Sequence, residues 1–497
     1  MVGIVVDQLR TDYIEYLQSY FGERGFKTLL TDAVYMRDVD FKVQGLDAAS
    51  STAMLLTGAY PSQTGIPSGT VFEVSATGAA PRLPLVSSAG ANVTNDSFSP
   101  AGLRLSTIAD ELVMDGAGVP SVYSVAMDPQ QAVILAGHAG KGAFWVNNAS
   151  GNWATTSYYG PMPSAVSNRN FKRSLAQRID TMQWRPSAKL AMTDVLSQSR
   201  KNVPFRHTFS RSDRDVYKKF AASALANTEV TDVAIDLISD LNLGAKPGET
   251  DMLNVAYTLA PFPYVQGSDA KAELTDAYLR LDSQIARLIE AVDRRVGAGN
   301  SVIWLSSTGY YCDAVAAEEK FRIPGGEFSA RRARSLLNSY LSAKYGSAGY
   351  VTAIRGGQVF FDRHAIEQLR LDTDKVVADA RSFLVKMSGV ADAYTLDEIL
   401  SPSGEETQDL RLATDPRTSG DIIIRFAPGW TVSYDETVPA QTQYVRATAV
   451  MTPAFLRAPG LASRTISTPV DAVRIAPTVA GALHIRSPNG ARSRSAL

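Results

Sequence analysis

The chain has 497 residues, 45% of them apolar and 20% charged, which suits a globular protein with a large core in one big domain or two to three ordinary ones. Its net charge of −1 excludes the strong positive field that draws nucleic acid or an anionic membrane. The one cysteine, Cys312, excludes an internal disulfide, and no apolar run reaches the roughly 18 residues of a membrane helix.

Val2 to Asp7 reads as a buried strand ending in a carboxylate. That is a usual place for a metal or ribose ligand, although spacing alone favours a cap or loop Asp. Strand residues follow Met1 at once, so no signal peptide is expected. Helices are expected over Gln8 to Tyr20 and Gly25 to Val34. A further helix should be capped by Asp47 and stopped by Gly58. Phe72 to Pro100 is rich in Ser, Ala and Gly and reads as a long surface excursion. Ser106 should cap a helix running to Met114, and Val119 to Ala126 reads as a strand.

Phe144-Trp145 and Gly151 to Tyr159 look like a hairpin, with Trp145, Trp153, Tyr158 and Tyr159 packing on it. Residues 160–250 read as an insertion. Met252 to Thr258 is again a strand. Leu274, Tyr278, Leu281, Ile285, Leu288 and Val292 alternate spacings of four and three, the pattern of an amphipathic helix. Val302 to Leu305 is an apolar run too short for a helix, and it leads through Ser306, Ser307 and Thr308 into Gly309. The carboxyl end of such a strand is where open α/β proteins place their chemistry. Residues 327–400 read as a compact α+β lobe, Asp421 to Phe426 as a return to the main sheet, and Ile475 to Val479 as the start of the last helix. Lys320, Arg322, Arg331, Arg332 and Arg334 form a basic cluster, read as a solvated helix face with a docking surface as the alternative.

Several stretches together resemble the alkaline phosphatase superfamily, in its branch of bacterial single-chain alkaline phosphatases related to the type I phosphodiesterases/nucleotide pyrophosphatases. They are Val5 to Tyr13, Gly25-Phe26-Lys27, Leu56-Thr57-Gly58 with Pro61 and Gly65-Ile66, and Ala136-Gly137-His138. Phe144-Trp145, Gly151-Asn152-Trp153, Tyr278 to Asp282, Asp471 to Thr478 and Pro488-Asn489-Gly490 complete the set. The resemblance implies a doubly wound α/β/α sandwich with a mostly parallel central sheet, cap insertions and a small α+β lobe. On this reading the core takes about 1–126, 250–326 and 401–497, the cap insertion 127–249 and the lobe 327–400.

The family implies phosphoester hydrolysis with two zinc ions held by three His and three Asp, and a Thr or Ser nucleophile at a helix N-terminus. Carried over residue by residue, Asp7 matches the first metal ligand. Ala48 falls at the nucleophile, Gly69 at the phosphoryl-contacting Asn, and Asp128 and Gln130 at the phosphoryl-binding Lys and Arg. Ala260, Tyr264, Ser307, Thr308 and Thr442 fall at the other ligand positions. The expectation is therefore a catalytically inactive relative, with no metal and no cofactor. It would act as a binding or scaffolding subunit with a protein partner, in a bacterial envelope assembly, periplasmic or on the cell surface. The alternative is a divergent metal-dependent phosphatase or phosphodiesterase with a rebuilt site. Its groups would come from Asp7, Asp47, Asp128, Tyr264 and Asp313, whose carboxylates suit a hard cation. Tyr264, Tyr310 and Tyr311 read as the lining of a former metal pocket filled by aromatic packing, or equally as core or cap residues.

Overall fold

The computed structural model describes residues 1–75, 78–86, 97–193, 205–264, 271–311, 325–402, 404–434, 442–445 and 450–497. Its centre is β1 (Val2–Asp7), whose Ile4, Val5 and Val6 are fully buried. A run apolar on both faces is what a parallel strand between two helix layers requires. The other strands of its sheet, in chain order, are β2 (Val34–Met36), β3 (Val122–Val125), β4 (Gly142–Val146), β5 (Trp153–Ala154), β6 (Met252–Thr258), β7 (Ile303–Ser307), β8 (Ala454–Arg457) and β9 (Arg464–Ile466). Their spatial order is β9-β2-β8-β7-β1-β6-β3-β4-β5. The run β7-β1-β6-β3-β4 is parallel, while β8 lies antiparallel to both β7 and β2.

The register puts Val5 opposite Ser306 and Val6 opposite Ser307, so the ends of β1 and β7 meet at one sheet edge, as the sequence suggested. The expected hairpin is present as the β4–β5 pair, and both of its tryptophans are buried.

Three helices position that edge: α1 (Ala48–Thr57), α2 (Pro129–Ala136) and α3 (Lys271–Val296). All six apolar residues of the predicted α3 stripe are buried. At about 1.5–3 kcal/mol per large side chain, that stripe alone is a major part of the core. The same helix ties distant loops through polar groups. The Asp282 carboxylate accepts from Gly22 N at 2.8 Å and Phe26 N at 2.9 Å, and Asp276 accepts from Trp184 Nε1 at 2.7 Å.

Four expectations need correction. The helix predicted over Gln8 to Tyr20 starts only at Thr11, because Gln8 takes a left-handed conformation (φ 62°). The helix predicted from Ser106 is capped by Thr107, which forms a reciprocal capping box with Asp110. The excursion after Phe72 begins as a regular hairpin, Val71–Ser75 with Gly78–Arg82, and Phe72 is buried against Phe360. Ile422–Phe426 does not return to the main sheet. It lies inside the lobe's antiparallel sheet, between Gln358–Phe361 and Val390–Thr395. The lobe has its own core, built on Phe328, Leu337, Leu341, Val359, Ile422 and Val432, so it runs well past residue 400. The main sheet resumes at Ala454.

Candidate functional site

Asp7 stands at the carboxyl end of β1. Its Oδ1 accepts a hydrogen bond from Thr308 Oγ1 at 2.9 Å, and Thr308 Oγ1 in turn accepts from Gln8 N at 2.9 Å. The left-handed turn at Gln8 is what brings that N–H round to Thr308. Ser307 Oγ donates to Leu9 O at 2.7 Å, fixing the other side of the same crossing. Gly309 follows at φ 76°, where a Cβ would collide with the Phe41 ring. Only glycine gives both that conformation and that clearance.

Burial pushes the Asp7 carboxyl up to about 6, and the nearby Asp47 charge pushes the same way. Hydrogen bonds from Tyr310, Thr308 and Gln8 oppose the shift. Tyr310 is thus a partner of Asp7, while Tyr311 lies under the Arg10 guanidinium at 4.6 Å.

The N-termini of α1 and α2 both carry an Asp cap. Asp47 Oδ1 accepts from Ser50 N at 2.9 Å, and its Oδ2 accepts from Gly69 N at 2.6 Å and Ser68 Oγ at 2.7 Å. Asp128 Oδ1 accepts from Gln131 N at 2.9 Å, and burial raises this carboxyl, with Asp47 again adding to the shift. Gln130 Nε2 donates to Gly69 O at 2.9 Å. Its Oε1 is buried without a hydrogen-bond partner among the described residues. A Cβ at residue 69 would come within 3.2 Å of that same Nε2. The absence of a side chain at 69 and the amide at 130 are therefore one packing solution: the amide fills space that a residue-69 side chain needs. Ala48 opens α1 with no side-chain hydroxyl to present.

The other mapped positions do not converge on Asp7 as ligands. Thr308 is committed to Asp7 and Ser307 to Leu9. Ala260 carries no donor. Tyr264 is 45% exposed and packs on Phe262. Thr442 contributes backbone to a short strand paired with Trp430–Ser433. The four histidines are placed elsewhere. His138 lies 3.0 Å from Asp110, His207 packs among Trp184, Phe205 and Phe262, His364 pairs with Gln368 in the lobe, and His484 follows the last helix. Among the described residues no group of three or more His, Cys, Asp or Glu is placed to hold a metal ion. Among the described residues the donor chemistry does not fit the zinc pair that the resemblance implies. Asp313 and Cys312 lie outside the described residues, as do Lys320 and Arg322 of the basic cluster. Arg331, Arg332 and Arg334 are exposed on the lobe helix Ala330–Tyr345.

Sequence reading identified Asp7, Asp47 and Asp128 one by one. It missed the Asp7–Thr308 bond and the Asp47–Ser68–Gly69 clamp, since both join segments that only the fold brings together.

The sequence profile of the family described as type I phosphodiesterase / nucleotide pyrophosphatase matches residues 1–449. The chain belongs to this family. A relative from Myroides odoratus named calcium-transporting ATPase is 27% identical, over 99% of this chain and 92% of its own length. Alkaline phosphatase PafA of Elizabethkingia meningoseptica is 26% identical, over 99% and 92%. The crystal structure of wild-type PafA superposes with a TM-score of 0.85 at 25% identity, over 100% of this chain and 98% of that one. The α/β architecture expected of the alkaline phosphatase superfamily is thus observed. The expectation that the chain is not an enzyme is overturned. Full-length similarity to proteins named as alkaline phosphatases points to a hydrolase, and the departures at Ala48, Gly69, Asp128 and Gln130 are not evidence of lost activity.

Proposed function

We propose that the chain is a phosphoester hydrolase with a rebuilt site, in which Asp7 handles the proton and no zinc pair takes part. The carrying observation is the placement of Asp7. It sits at the sheet edge where this fold holds its chemistry, is fixed by Thr308 Oγ1 at 2.9 Å, and has its carboxyl raised to about 6 by burial. Thr308 is fully buried, so its role is to orient Asp7 rather than to attack. Asp7 in its ionised form takes a proton from a water molecule as the water oxygen bonds to phosphorus; the ester P–O bond opposite breaks, and the leaving oxygen departs as an anion that solvent protonates. A base titrating near 6 is ionised at neutral pH yet basic enough to accept a proton.

The charges around it set the preference. Asp47 stands close enough to Asp7 and to Asp128 to disfavour ionisation of each, and Gln130 is neutral. A dianionic monoester is repelled there more than a monoanionic diester. Phosphodiesters are accordingly the proposed substrate class. A protein-binding role in a cell envelope, and a periplasmic or surface location, are compatible with this reading. Their support is the family resemblance. No helix among the described residues is long and apolar enough to cross a membrane.

The test is hydrolysis of bis(p-nitrophenyl) phosphate and p-nitrophenyl phosphate by the pure protein and by Asp7→Asn, with and without a chelator. Expected are faster diester than monoester turnover, no effect of chelation, and a loss of about 10²-fold or more in the variant. Turnover abolished by chelation and restored by zinc, or a variant as active as the parent, would overturn the proposal.

A further inference from the structure

Away from Asp7, the seam between core and lobe holds two adjoining cavities of about 290 and 430 Å³. Both are lined by Arg82, Arg104 and Thr418, and Arg417 and Glu73 join the larger one. Three separate parts of the chain meet there. Arg82 ends the Val71–Arg82 hairpin, Arg104 follows a short helix of the core (Pro100–Gly102), and Arg417 and Thr418 belong to the lobe side.

The three arginines are not equivalent. Arg104 Nη2 is tied at 2.6 Å to Asp415, whose side chain is 2% exposed, and this pair pins the lobe to the core. Arg82 and Arg417 are exposed. Among the described residues their guanidinium groups have neither a carboxylate within ion-pair distance nor a hydrogen-bond partner. Among the described residues Glu73 is the one other charged group lining the cavities, and it offsets a single positive charge. Two free forks of donors, a hydroxyl at Thr418 and a net positive charge, facing a concave space, are the chemistry that receives an oxyanion.

We propose that this seam binds the phosphate group of an anionic ligand, through Arg82 and Arg417, with Thr418 as a neutral donor and Arg104 as the fixed wall. Each guanidinium can meet two oxygens, and a tetrahedral phosphate has enough oxygens for both, which a carboxylate lacks. Hairpin and lobe also touch through Phe72, Ala353 and Phe360, so a bound phosphate draws the two together. The proposal does not depend on catalysis at Asp7.

The experiment is calorimetric titration of the full chain with inorganic phosphate and with pyrophosphate at constant ionic strength. Four proteins are compared: the parent, the Arg82→Ser/Arg417→Ser double variant, Asp7→Asn, and an Arg331→Ser/Arg332→Ser control that removes two exposed arginines elsewhere on the lobe. Saturable binding is expected, weakened about 10-fold or more in the double variant and unchanged in Asp7→Asn and in the control. A preference for pyrophosphate marks the terminal group of a larger phosphorylated ligand, and equal affinities mark free phosphate. The replaced side chains lose no partner among the described residues, so thermal melting of the double variant should match the parent. If it does not, each single variant is titrated against the same expectation. No saturable binding, binding lost only in Asp7→Asn, or equal losses in the double variant and the control would overturn the proposal.

Discussion

Asp7 carries an uncommon burden for a carboxylate, because it is held in a place that favours its protonated form. The unfolded chain releases this proton near 3.8 and the folded chain near 6. Between those values folding requires proton uptake, so the residue's contribution to stability is fullest below about 4 and falls away as the pH rises through 6. The full difference is on the order of 3 kcal/mol at most. Asp7→Asn should therefore gain stability over the parent at pH 8 that it does not show at pH 4, measured by urea denaturation at both values. A difference that is the same at both would contradict the assigned shift. Activity should move the other way, since the variant has no base. A gain in stability with a loss of turnover is the signature of a functional group held at a cost.

At the scale of elements, the N-termini of α1 and α2 give the site its character. Asp47 caps α1 and also holds Ser68 and Gly69. Asp47→Ala should cost about 1–3 kcal/mol, combining a lost cap with hydrogen bonds left unmade. Chemical denaturation checks this, and a change below a few tenths would show that the clamp is weak. Asp47→Asn, which keeps the acceptor while removing the charge, should lower the Asp7 apparent pKa, because the neighbouring negative charge that adds to the effect of burial is gone. Ala48→Thr restores a hydroxyl at the start of α1. If no metal pair activates it, as proposed, turnover should stay within about threefold of the parent. A large gain would mean that a metal site is present after all.

At the scale of the whole molecule, the Arg104–Asp415 pair is a polar fastening between core and lobe, beside the Phe72–Phe360 contact. Arg104→Met should leave Asp415 buried without its cation and destabilise the protein by about 2–4 kcal/mol. A melting curve unchanged by the substitution would show that the lobe is held by other means.

Much of this architecture was legible in the sequence because it is written in periodicity. The β1 and β7 runs, the α3 stripe and the Asp47 and Gly58 stops of α1 follow from local pattern, and their observed bounds agree closely. Ile422–Phe426 was assigned to the wrong sheet because an apolar strand carries no label for its partner. Gln8 broke the expected first helix through a left-handed backbone that glutamine does not advertise. The site was legible as a set of departures from a family pattern, and less so as a working arrangement. Thr308 was read as a failed metal ligand, whereas the fold uses its hydroxyl to orient Asp7 across 301 residues of sequence.

If Asp7 performs the proton transfer of a phosphodiesterase that does not use zinc, the pH dependence of kcat/KM for a phosphodiester reveals it, measured with chelator present on protein purified in parallel with Asp7→Asn. The expected rate rises through about pH 6 to a plateau, with no such limb in the variant. A profile without an ionisation near 6, activity that needs added zinc, or no diester turnover by the parent protein would contradict it.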